Sequence, residues 1–265
     1  MTSNAPSPLP QWERFFLPEI LAFRGLLVGV MHYEYTTNLF GDATMASKLV
    51  RAVPSVIKPL ADALSDGHRY PPGEMFRFFL GSVMEVWGYQ PWYPVPADAQ
   101  PLVQQAIGCY DQALSKEEPF KDILGILYEE LASHGGKQLL GQFFTPWSIA
   151  SMMARMNADP DHQTAGNGLK AFSDPACGSG VMLLAKANQL LEANGPDELR
   201  NWQFHGCDID GICARMTAIQ LAANCAVHRL EIGEIIIQQG NTLSLSETKT
   251  MIMYATAPPK VALAS

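Results

Sequence analysis

Apolar positions recur at intervals of three and four through the first half of the chain, then give way to short apolar runs bounded by glycine. Ile20-Leu21-Ala22-Phe23 and Leu26-Leu27-Val28 follow helical rather than alternating spacing, and Val50, Val53, Ile57, Leu60 and Leu64 continue it over residues 46–64. Pro54 and Pro59 are expected to interrupt that segment, because proline lacks the helical N–H. The pattern predicts another helix over 76–87. Residues 89–101 hold four prolines and predict a turn-rich connector. Two more helices are predicted over 102–114 and 120–133. At His134-Gly135-Gly136 the character changes: glycine-rich turns separate short apolar runs from helical segments, which predicts alternating strands and helices around a parallel sheet. The chain thus reads as α/β, with a helical N-terminal domain over 1–135 and a strand–helix domain over 136–265.

Composition narrows the function classes. Hydrophobic residues make up 48% of the 265 and charged ones 17%, so the chain can bury a core and is not a disordered tail. The net charge is −8, and no run of lysine or arginine occurs. Binding a duplex needs a basic face, so the chain alone is expected to bind DNA poorly unless a basic patch assembles in three dimensions. Five cysteines without a C-x-x-C pair predict free thiols in a reducing cytosol. The six histidines are scattered, and no metal site is expected. The proline-rich start is no signal peptide, and the longest apolar stretch, 25–31, is too short to span a bilayer. A soluble, cytoplasmic protein is expected.

The strongest chemical signal is Asp174-Pro175-Ala176-Cys177-Gly178-Ser179-Gly180, between the apolar run 169–173 and a predicted helix over 181–193. Glycine lets the backbone adopt positive φ and approach a ligand, and the helix N-terminus offers free N–H groups. A dinucleotide fingerprint would need a third glycine where Leu183 stands. Asp174 at the loop mouth would repel a pyrophosphate and attract an ammonium. A second motif, Phe204 to Asp210, places Asp208 at a strand end, where an acid can accept from both ribose hydroxyls. Asp210 reads as the N-cap of a helix over 211–226. Two caps or a solvated turn is the plain alternative for this acidic pair, and its place one strand–helix unit after the glycine loop favours the ribose role. Ile235-Ile236-Ile237 suits a buried strand ending near Asn241 and Thr242, though Gly-Asn is also an ordinary turn. Upstream, Gln142-Phe143-Phe144-Thr145-Pro146 runs into a predicted helix over 148–156, with Thr145 as N-cap and Pro146 at N1.

In this order the four motifs closely resemble the modification subunits of type I restriction systems and related adenine-N6 DNA methyltransferases. The resemblance covers about residues 121–259. It implies a partial Rossmann-like methyltransferase domain, S-adenosylmethionine as cofactor, and methyl transfer to an adenine flipped out of DNA. Phe144 and Thr145 would cover the methionine end, while Asp174, Gly178 and Gly180 would cradle it. Asp208 would hold the ribose and Asn241 the adenine. Gln142, Phe143, Pro146, Ala176, Ser179, Ile209 and Thr242 are counted in the same site.

One motif departs from the family. Its catalytic signature, Asn/Asp-Pro-Pro-aromatic at the end of a fourth strand, reads Ala257-Pro258-Pro259-Lys260 here. Both the amide acceptor and the stacking ring are replaced, so no intact catalytic set is expected. The domain is expected to stop after its fourth strand, leaving an open edge. The expected protein is a methyltransferase-like component of a restriction-modification system. It would need a specificity subunit, another methylase subunit or self-association for any activity, and would meet DNA only within such a complex. The alternative is a catalytically inactive, cofactor-binding regulator or decoy of such a complex.

Overall fold

The computed structural model describes residues 54–65, 69–134, 144–156, 168–244 and 249–258. The predicted helical segments over 20–28 and 46–53 lie outside them. The first helices are α1 (Lys58–Ser65), α2 (Pro72–Val86), α3 (Gln100–Lys116), α4 (Ile123–His134) and α5 (Trp147–Met156). Pro59 does not break α1. It stands in the first turn, where a missing N–H has no helical acceptor to lose. The proline-rich connector falls between α2 and α3, as its composition predicts. Helix α5 starts at Trp147, with Ala150 N donating to Pro146 O at 3.1 Å, so the cap lies one residue later than expected.

Then follow β1 (Lys170–Asp174), α6 (Val181–Asn194), the short α7 (Pro196–Leu199), β2 (Trp202–Asp208), α8 (Gly211–His228), β3 (Glu234–Gln239) and β4 (Thr250–Thr256). They form a mixed α/β fold on a four-stranded sheet ordered β1-β2-β3-β4. Helix α8 is the centre of the molecule. Twelve of its 18 residues are buried, which fits a helix enclosed on several sides, here by the sheet and by α2, α3 and α4. One continuous apolar cluster therefore runs from Ile57 in the helical layer through Phe76, Phe79 and Leu127 to Ile219, Ile237 and Ala255.

The sheet differs from the expected parallel one in its last strand. Strands β1, β2 and β3 are parallel, whereas β4 runs antiparallel to β3, with Glu234 opposite Thr256 and Gln239 opposite Thr250. A parallel return needs a crossover of about a dozen residues or more. Only residues 240–249 separate β3 from β4, so the chain turns back on itself. Among the described residues β1 and β4 are both edge strands.

The two faces of the sheet differ in chemistry. Trp202, Phe204 and Gly206 alternate toward the helices, and a Cβ on Gly206 would meet Leu183 at 3.1 Å. The opposite face carries a polar row, with Ser173 Oγ 3.3 Å from His205 Nδ1 and His205 Nε2 3.1 Å from Gln238 Oε1.

Candidate functional site

The sheet positions one site, at the carboxyl ends of β1 and β2. Strand β1 delivers Asp174, and the chain then makes a tight turn before α6. Gly178 and Gly180 have φ of +54° and +91°, values that glycine adopts without steric cost. Each is also pressed by a neighbour. A Cβ on Gly178 would lie 3.0 Å from the Phe144 ring, and one on Gly180 would lie 3.0 Å from the Thr217 side chain. The turn is held from several directions. Cys177 N donates to Cys207 O at 3.0 Å, Gly178 N donates to Asp208 Oδ2 at 2.8 Å, and the Thr217 hydroxyl lies 3.1 Å from Gly178 O.

Strand β2 delivers Asp208. Its other oxygen accepts from Asp210 N at 2.8 Å, while Asp210 caps α8 by accepting from Ile212 N at 2.8 Å. The two acids thus divide their work as their spacing predicts: Asp210 is the cap and Asp208 faces the cleft. Each Asp208 oxygen keeps a lone pair beyond these bonds.

The resulting cleft has a volume of about 190 Å³. Phe144, Thr145, Asp174, Ala176, Gly178 and Asp208 line it together with Cys177, Val181, Met182 and Cys213. Whole cofactor pockets span about 300–1,000 Å³, so this cleft encloses only part of a nucleoside-sized ligand. No basic residue stands among the described lining residues, and two carboxylates do. Burial, with the nearby Asp208 charge adding to it, raises the Asp174 carboxyl above the ordinary range, against a hydrogen bond from Ala176 N. Such a site favours a cation. The thiols are not poised as nucleophiles: burial pushes Cys177 up to about 12 and Cys213 higher still.

The remaining sequence candidates are distributed around this cleft. Gly180 shapes the turn from behind. Ser179 is fully buried and points away, its hydroxyl donating to Asp122 Oδ2 at 2.8 Å. Ile209, 69% exposed, follows Asp208 at the surface. Asn241 does not line the cleft; its Oδ1 accepts from Leu243 N at 3.0 Å, the ordinary turn that Gly-Asn allows. Thr242 ties that turn to the glycine loop through Pro175 O at 2.9 Å. Pro146 is exposed beside the cleft, and Gln142 and Phe143 lie outside the described residues. Sequence reasoning passed over Cys177, inside the glycine motif itself, and Val181, Met182 and Cys213. The first turns of α6 and α8 were the available signal, since both helices begin at the cleft.

The catalytic-signature positions are elsewhere. Because β4 is antiparallel, its C-terminal end meets the start of β3, and Ala257 N donates to Gly233 O at 3.0 Å. Pro258 O accepts from Arg200, whose guanidinium also pairs with Glu231. Five strand steps of about 3.3 Å put this end about 17 Å from the cleft end of the sheet. Pro259 and Lys260 lie outside the described residues.

No metal-ligating cluster occurs among the described residues, and no described helix is long and apolar enough to cross a membrane. Among solved structures, the chain is similar to the type I restriction-modification system methyltransferase subunit from Streptococcus thermophilus, at 17% identity and a TM-score of 0.34. That alignment covers 72% of this chain, which spans 40% of the Streptococcus chain. No curated protein matches the sequence. Residues 118–259 match the model of the family described as N-6 DNA Methylase, a span that takes in the glycine turn, Asp208 and helices α6 and α8. With more than half of its length inside that match, the chain belongs to the N-6 DNA methylase family.

Proposed function

We propose that this protein binds S-adenosylmethionine as a component of an adenine-N6 DNA methyltransferase assembly of a restriction-modification system. The observation that carries the reading is the pair Asp174 and Asp208 flanking a glycine turn in a cleft whose described lining residues include both carboxylates and no basic group. The residues fit the cofactor. Glycine at 178 lets the Phe144 ring close against the turn, where a Cβ would come within 3.0 Å of it. The carboxylates suit a cationic methionine arm, and Asp208 has acceptor capacity left for ribose hydroxyls. When bound, S-adenosylmethionine supplies a methyl group on a sulfonium centre. The chain's own residues bind and orient. Asp174 attracts the ammonium, Phe144 and Thr145 cover the methionine end, and Asp208 holds the ribose. Ile209 presents an apolar surface to the adenine, beside Asn241 and Thr242.

A division of labour follows along the chain, with residues 1–135 as a supporting helical part and 136–265 as the cofactor-binding part. DNA is met only within a complex with a specificity subunit, another methylase subunit or a second copy, because a net charge of −8 opposes binding to a polyanion. The protein works in the cytoplasm.

A second reading, a catalytically inactive cofactor-binding regulator or decoy, is favoured by one observation. Ala257 and Pro258 sit at the end of the sheet opposite the cleft, so they cannot face a base presented there. Radiolabelled methyl transfer by the chain with and without its co-purifying partners separates the two: label in DNA only with partners supports the assembly, and none in either case supports the regulator.

A further inference from the structure

Three buried polar side chains meet beneath the glycine turn, and none belongs to the cleft. Asp122, immediately before α4, caps that helix by accepting from Gly125 N at 2.8 Å. Its second oxygen accepts from Ser179 Oγ at 2.8 Å. Gln220 of α8 completes the junction. Its Nε2 donates to Asp122 Oδ1 and to Ser179 O, each at 2.8 Å, and its Oε1 accepts from Ile123 N at 2.8 Å and Leu124 N at 3.0 Å. Asp122 is 7% exposed, and Ser179 and Gln220 are 0% exposed. Gly125 permits the approach, since a Cβ there would lie 2.7 Å from Ser179 Oγ. A buried carboxylate is costly unless its acceptors are filled, and three donors fill this one.

The same helix reaches the other wall of the cleft. One turn beyond Gly125, Glu129 Oε1 accepts from Phe144 N at 3.3 Å, and the Tyr128 ring lies 5.6 Å from the Phe144 ring. Phe144 in turn lies over Gly178. Helix α4 therefore grips the turn through Asp122 and the opposing aromatic through Tyr128 and Glu129.

We propose that α4 sets the width of the cofactor cleft, and that Asp122 is a positioning residue acting through Ser179 on the glycine turn. The proposal rests on the reading of the cleft as a methyl-donor site, but its mechanical part does not. Asp122→Ala removes the grip. In Asp122→Asn, Oδ1 keeps Gly125 N and Gln220 Nε2, while the amide donates to the Ser179 hydroxyl, which rotates to accept. Val103→Ala, in the core of α3, provides a destabilised control away from the cleft.

Two measurements on the full chain test it: amide hydrogen exchange at Gly178 and Gly180, with Phe204 in β2 as reference, and calorimetric titration with S-adenosylhomocysteine. In Asp122→Ala the turn amides exchange about tenfold faster than in wild type while Phe204 is unchanged, and affinity falls about tenfold, within the range by which supporting residues modulate coupling. Asp122→Asn restores both to within about twofold, and Val103→Ala moves neither the turn selectively nor the affinity. If Asp122→Ala does not fold, Ser179→Ala takes its place with the same expectation. Uniform acceleration at all amides, an unchanged turn, or parity of Asn with Ala at position 122 would overturn the proposal. Failure of the wild-type chain to bind S-adenosylhomocysteine would remove the cofactor reading instead, and the exchange result would then decide the positioning role alone.

Discussion

Replacing Gly180 by alanine tests whether the turn is shaped by contact with α8 as well as by backbone freedom. Two costs are involved, and the structure separates them. Gly180 has φ of +91°, and a left-handed conformation costs an L-residue about 1–2 kcal/mol. The new Cβ would also lie 3.0 Å from Thr217 Cγ2 and Oγ1 and 3.1 Å from its Cα. The last is backbone in the most buried helix and cannot swing aside, so overpacking adds about 1–3 kcal/mol. Gly88 supplies the control. It ends α2 with Gly88 N donating to Glu85 O and Tyr89 N to Met84 O, its φ is +81°, and nothing lies within 4 Å of its Cβ position. Gly88→Ala therefore costs about 1–2 kcal/mol, and Gly180→Ala about 2–5 kcal/mol. At about 2–4 °C per kcal/mol for a domain of this size, the two melting temperatures differ by roughly 2–12 °C. Circular dichroism melts of both variants give the difference directly. Equal losses in the two variants would refute the contact with Thr217 as a determinant of the turn.

Other consequences follow from the same geometry. Burial and the Asp208 charge hold the Asp174 pKa above 3.8, so its contribution to stability is present below that value and is lost as pH rises through the raised pKa. Asp174→Asn should accordingly raise the urea midpoint at pH 7 yet weaken cofactor binding there; a lower midpoint at pH 7 would contradict this. The purified chain alone should transfer no labelled methyl group to mixed-sequence DNA above a protein-free blank. Ala257→Asn with Lys260→Tyr should not restore transfer, because position 257 lies about 17 Å from the cleft end of β3. Among the described residues no further strand pairs outside β1 or β4, and such sheet edges should make the protein associate with itself or with another methylase component; light scattering that reports a monomer across a hundredfold concentration range would count against this.

What was legible in the sequence was mostly local. Positive φ at Gly178 and Gly180, the Asp210 cap and the apolar runs of β1, β2 and β3 follow from residues within one strand–helix unit of each other. The facing of Asp208 toward the cleft was readable for the same reason. The direction of β4 was not read, although the ten residues over 240–249 hold the reason: the strand–helix alternation predicted a parallel sheet throughout, where the short link before β4 allows only a reversal. At Asn241 the structure adds a local role that the strand pattern did not single out, since its Oδ1 accepts from Leu243 N and holds its own turn. The junction of Asp122, Ser179 and Gln220 was not legible at all. Its members are 57 and 41 residues apart in sequence, and each alone passes for a cap, a loop serine or a helical surface residue.

The central claim is that the cleft between Asp174 and Asp208 binds a methyl donor. Calorimetric titration of the purified chain with S-adenosylmethionine, beside Asp208→Ala, tests it most directly. Binding by the wild type, weakened in the variant by about 1.5–3 kcal/mol, the worth of hydrogen bonds to a charged group, is the predicted result. No heat and no thermal stabilisation at millimolar cofactor, or equal affinity in the two proteins, would contradict it.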